Sequence, residues 1–118
     1  MKRLLAVLCV LVSACLCLNG CGGNGYELSK QDLAAFKDAT PEMKQTWEQG
    51  LKADKANDYL TASTNYRALL GTNITADQLV AVQTALGGLN YRINEAAAKG
   101  DASARKALDA LKDGGPRR

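Results

Sequence analysis

The chain predicts an all-α fold, a small bundle or partial superhelix of about five helices. Two observations carry this. From Ser29 to Lys112 apolar residues recur at three- and four-residue steps, the period of one helix face, and no stretch sustains the alternation of a strand. Helix-start chemistry falls at Ser29, at Thr40-Pro41 and at Thr75, each just before such a run.

The elements follow in order. Ser29 and Asp32 fit a capping box that starts the first helix, with Leu33 and Phe36 three apart on its apolar face. Thr40-Pro41-Glu42 ends that helix and opens the second, with Thr40 as the cap, Pro41 at the first helical position and Glu42 at the positive end of the dipole. The second helix runs from Pro41 to about Asp54 with Met43, Trp47 and Leu51 on one face. Gly50 inside it costs about 1 kcal/mol relative to Ala, which is explicable if a neighbouring helix comes close there. The third runs from Asn57 or Asp58 to Leu70, packing Tyr59, Ala62, Tyr66, Leu69 and Leu70, with Gly71 as the stop. Thr75 and Gln78 form a capping box for the fourth and longest helix, which reaches about Lys99. Its face is Leu79, Val82, Leu86, Leu89, Ile93 and Ala97, and that register survives Gly87-Gly88, so the helix should be continuous. After the turn at Gly100-Asp101 a short fifth helix spans Ala102 to Lys112, with Ala104, Leu108 and Leu111 inward. The core is alanine-rich, so helices can sit close while each residue buries little area.

The first 20 residues have another character. Lys2 and Arg3 precede an uncharged stretch from Leu4 to Leu18, the build of a secretory signal, and shorter than the about 20 residues of a membrane span. All four cysteines, Cys9, Cys15, Cys17 and Cys21, lie within the first 21 residues, and the chain has no histidine. With Leu18-Asn19-Gly20-Cys21 the chain resembles a bacterial lipoprotein precursor, in which the cysteine after the signal carries diacylglycerol and begins the mature protein. Val12-Ser13-Ala14-Cys15 is a second match. Cleavage there would leave an apolar core of barely ten residues and put Leu16-Cys17-Leu18 at the mature start, which favours Cys21. The resemblance covers about 21 residues and concerns processing. It implies a lipid bilayer as partner through acylated Cys21, since each buried CH₂ contributes about 0.8 kcal/mol. With Gly22 rather than aspartate after the cysteine, it also implies the outer membrane of a two-membrane bacterium, with the domain facing the periplasm. The expected organisation is a signal over 1–20, a flexible tether over 21–28 around Gly22-Gly23-Asn24-Gly25, a helical domain over 29–112, and a disordered basic tail over 113–118.

The 98 residues from Cys21 onward suffice for one domain. The formal charge of +3 counts Lys2 and Arg3, so the mature part is near +1 and has no cation field for a nucleic-acid backbone. It has one thiol, hence no disulfide framework, and lacks the cysteine and histidine of a transition-metal cluster.

Gly50, Asp58-Tyr59, Ala62, Tyr66 and Leu69-Leu70 resemble part of a tetratricopeptide repeat. Trp47 stands one place off that repeat's tryptophan, and the long fourth helix departs from its length. The likeness therefore covers Met43–Leu70 and echoes again over Gly100–Leu111. It implies a central hairpin in which small Gly50 and Ala62 let two antiparallel helices touch, while Tyr59 and Tyr66 fill the groove between units.

No catalytic constellation is legible. A nucleophile needs a base in reach, and Ser29, Ser63 and Ser103 have no partner pattern. The glycines of 20–25 lack the lysine ending of a phosphate loop. Asp54 and Asp58, four apart, could share a cation, but a surface paired with Lys52 and Lys55 explains them better. The candidate partner groove is Trp47, Tyr59, Tyr66, Arg67, Asn90, Arg92 and Asn94. The expectation is a membrane-tethered, non-catalytic helical protein of the bacterial envelope without cofactor, binding an envelope protein or itself. Partly exposed Trp47, Tyr59 or Tyr66 would support binding, and full burial a structural spacer. The alternative is a ligand-binding or enzymatic protein acting on envelope substrates, needing an acidic residue such as Glu95 or Asp58 partly buried beside Arg92 or Arg67. A lysis or toxin-immunity lipoprotein leaves no chemical signature to separate it from these.

Overall fold

The computed structural model describes residues 27–113, so the expected signal over 1–20, Cys21 as the expected lipidation site and all but the first residue of the expected basic tail lie outside the described residues. Among the described residues five helices form: α1 Lys30–Ala34, α2 Pro41–Lys55, α3 Tyr59–Leu70, α4 Ala76–Ala98 and α5 Ala102–Lys112. No strand occurs among the described residues, and none of their helices is long and apolar enough to cross a membrane.

The starts are where side-chain chemistry puts them. Ser29 and Asp32 satisfy each other's backbone in a capping box, and Thr75 and Gln78 do the same for α4. Thr40 caps α2 ahead of Pro41, Asp58 caps α3, and Asp101 caps α5. Asn57 takes a left-handed φ of 57° in the tight turn between α2 and α3, and Gly100 a φ of 95° between α4 and α5. These short connections make α2–α3 and α4–α5 antiparallel hairpins. Helix α3 touches α2, α4 and α5, and α1 lies against α4.

The close approach expected at Gly50 is real. Gly50 is buried, and a Cβ placed on it would lie 2.7 Å from Tyr66 Cε1. Ala62 and Tyr66 are both fully buried. Helix α4 is unbroken through Gly87-Gly88, with Gly88 buried. Around these sit Phe36, Trp47, Tyr59, Leu69, Val82, Leu89 and Ile93, with alanines at 53, 62, 81, 85, 97, 104 and 107 between them. Phe36 stacks on Trp47 at 4.8 Å, and Trp47 tilts against Tyr66 at 5.5 Å.

Several expected core positions differ. Leu33 is 50% exposed. Helix α1 stops at Ala34, too short to lay down a two-turn face, and Phe36 enters the core alone from the turn that follows. Leu70 is exposed because it ends α3 about 100° round from Leu69, which takes the inward place. Leu79 is exposed for the same geometric reason, since Gln78 occupies the inward position beside it. In α5, Ala104 and Ala107 are buried, while Leu108 and Leu111 pack at the core's edge. Leu28 also packs there, so the domain begins one residue before Ser29, within the stretch assigned to the tether.

Candidate functional site

The chain's entry into the domain and the C-terminal end of α2 together frame an open groove of about 530 Å³. Glu27, Leu28 and Leu33 form one wall, Leu51, Asp54, Lys55 and Asn57 another, and Ala85 and Arg92 of α4 complete the lining. Its local origin is plain. Asp54 and Lys55 lie three and four residues after Leu51, on the same side of α2, and Asn57's left-handed turn brings the chain round at the rim.

The polar centre is Asp54. Arg92 donates from Nη2 to Asp54 Oδ1, closing an ion pair between α4 and α2. Tyr66 donates its hydroxyl to Asp54 Oδ2 at 3.1 Å, adding α3. Both carboxylate oxygens therefore accept from protein donors, and Asp54 is bound into the architecture. The side chain of Arg92 is 43% exposed and that of Asp54 13%, so the carboxylate is the sheltered partner of the pair. Burial first, and then the adjacent Asp54 charge, push the Tyr66 phenol well above its ordinary range.

The expected site residues divide three ways. Trp47, Tyr59 and Tyr66 are 2%, 6% and 0% exposed and belong to the core. The apolar faces of α2 and α3 close on each other, and these rings are the bulk that fills the space between them. The Trp47 indole Nε1–H is buried with no hydrogen-bond partner. Arg67, Asn90 and Asn94 are solvent-facing or partly so on α3 and α4, and Asn94 turns its amide back to the Asn90 carbonyl at 2.8 Å. Of the expected set, only Arg92 lines the groove.

Asp54 is the residue whose role sequence spacing misplaced. Its partner is Arg92, 38 positions away, rather than Lys52 or Lys55. Asp58 is instead occupied as the α3 cap, accepting from Thr61 N–H. Glu95 is exposed on α4. Among the described residues no three histidine, cysteine, aspartate or glutamate side chains come together as a metal would need. Comparisons with protein-family models, curated proteins and solved structures found no match.

Proposed function

We propose that this chain is a lipid-tethered, non-catalytic helical module of a bacterial cell envelope, acting as a structural or protein-interaction element. The observation that carries this reading is Leu18-Asn19-Gly20-Cys21 closing the apolar run that Lys2-Arg3 opens, followed directly by glycines and one small helical domain. Acylated Cys21 would hold the domain at the outer membrane, on its periplasmic side. The burial of Trp47, Tyr59 and Tyr66 weighs for a structural spacer over a partner groove lined by those rings. The hairpin of α2 and α3, with Gly50 against Tyr66, supports the likeness to a tetratricopeptide unit.

A ligand-binding or enzymatic reading would have to use Asp54 and Arg92, the acid and base that meet in a groove. Their charges neutralise one another, and both Asp54 oxygens are engaged. That arrangement serves packing better than proton transfer.

Intact mass and membrane fractionation of the protein made in bacteria test the proposal. The wild type should carry diacylglycerol mass and stay with membranes, and Cys21→Ala should lose both. Retention of lipid by that variant, with loss in Cys15→Ala, would move the anchor to Cys15. No lipid on any form would end the lipoprotein reading.

A further inference from the structure

We infer that the groove framed by Leu28, Leu33, Leu51, Lys55 and Arg92 is the face that the domain lays on the phospholipid bilayer holding its anchor. This rests on the tethered reading above and adds an orientation to it.

The argument starts from chain length. Six peptide steps separate Cys21 from Glu27, a span of at most about 20 Å. Glu27 and Leu28 are themselves groove wall. Helix α4 alone, at 23 residues, is about 35 Å long. The tether is thus shorter than the domain and ends inside the groove, so this rim stays nearest the membrane.

The rim has the chemistry of an interfacial surface. Leu33 is half exposed beside it, and Leu28 and Leu51 are partly buried along its walls. Lys55 is exposed, Arg92 is paired with the sheltered Asp54, and the exposed Glu27 offsets Lys55, so the lining carries no net charge. Apolar side chains beside polar and charged ones settle at the headgroup boundary of a bilayer, and here the leucines and the short tether, rather than net charge, hold the contact. A short tether makes this contact intramolecular, at an effective concentration on the order of millimolar, so a patch of few side chains is enough. Leu70, Leu79 and Val80 are also exposed apolar side chains but do not line the groove, and they serve as the internal control.

The test uses the lipidated protein purified from bacterial membranes, placed in nanodiscs of phosphatidylethanolamine and phosphatidylglycerol. A fraction of the lipid carries a headgroup spin label, and amide broadening is read residue by residue. Broadening at Leu28, Leu33, Leu51 and Lys55 should exceed that at Leu79, Val80 and Ala102–Lys112 several-fold. Leu33→Asp, a change at an exposed position, should cut it at least twofold with the lipid mass unchanged. Uniform broadening, or broadening centred on Leu79 and Val80, would overturn the inference. So would groove resonances that shift with protein concentration and ignore the lipid label, which would assign the groove to a second copy of the chain. Failure of the tethered reading itself is separate, since intact mass would then show no acyl groups.

Discussion

At Gly50 an added Cβ would sit 2.7 Å from Tyr66 Cε1, 2.8 Å from Cδ1 and 3.4 Å from the Asn65 Cβ. The Tyr66 ring cannot give way, because it is fully buried and its hydroxyl is held by Asp54. Gly50→Ala gains about 1 kcal/mol of helix propensity and meets an overpacking cost of about 1–3 kcal/mol. We expect a net loss on the order of 1 kcal/mol in urea unfolding. At Gly100 the space is open, with nothing within 4 Å, but φ is 95°. Gly100→Ala should cost about 1–2 kcal/mol through the backbone alone. Tyr66→Leu as a second change separates the two causes: it should shrink the Gly50→Ala penalty and leave the Gly100→Ala penalty unchanged. The glycine at 50 was legible as a close-approach site from its cost inside a helix, but the ring that demands it was not.

Helices α1 and α4 show how one side chain can serve two elements. Gln78 Oε1 accepts from the Thr75 N–H at 3.0 Å, which closes the N-terminus of α4. Its Nε2 donates to the Ala35 carbonyl at 3.1 Å and holds down the segment that follows α1. The capping box could be read from Thr75 and Gln78 alone, because both partners are local. The second bond could not, because it spans 43 positions. Gln78→Glu keeps the acceptor and loses the donor. Amide exchange across Ala35–Ala39 should then accelerate about five- to tenfold, the measure of one hydrogen bond worth about 1 kcal/mol. The amides of Val82–Ala97 should stay as protected as before. Equal acceleration throughout α4 would mean that the cap, rather than the tie to Ala35, had been lost.

Three helices meet at Asp54, where Arg92 of α4 and Tyr66 of α3 converge on α2. This makes the stability of the whole molecule depend on alkaline pH in a definite direction. Burial, then the Asp54 charge, raise the Tyr66 pKa in the folded state, while in the unfolded chain it is about 10. The contribution is therefore fully present below pH about 10 and is lost as pH rises from there toward the folded value, by up to about 1.4 kcal/mol per pH unit. Urea midpoints should fall between pH 9.5 and 11.5 on this account. Tyr66→Phe should be less stable at pH 7, by about 1 kcal/mol for the lost hydrogen bond, and show a shallower alkaline decline. An unchanged slope in that variant would place the alkaline sensitivity elsewhere.

The local grammar of this chain was enough to determine an all-α fold, the caps at Ser29, Thr40 and Thr75, the continuity of α4 through Gly87-Gly88 and the tight packing at Gly50. The fold class, the caps and the continuity depend on residues within a few positions of one another or on the period of a single helix, and the packing at Gly50 was signalled locally by the cost of a glycine inside a helix, though the ring it meets was not. Tertiary structure decided which of two adjacent apolar residues turns inward, as at Leu69 and Leu70, and that the aromatics expected at a groove are the core. It also decided that Asp54 pairs with Arg92 and that the groove opens where the chain enters. Such choices follow from how helices α2, α3 and α4 dock, and docking sets contacts between residues dozens of positions apart, which no one-dimensional spacing encodes.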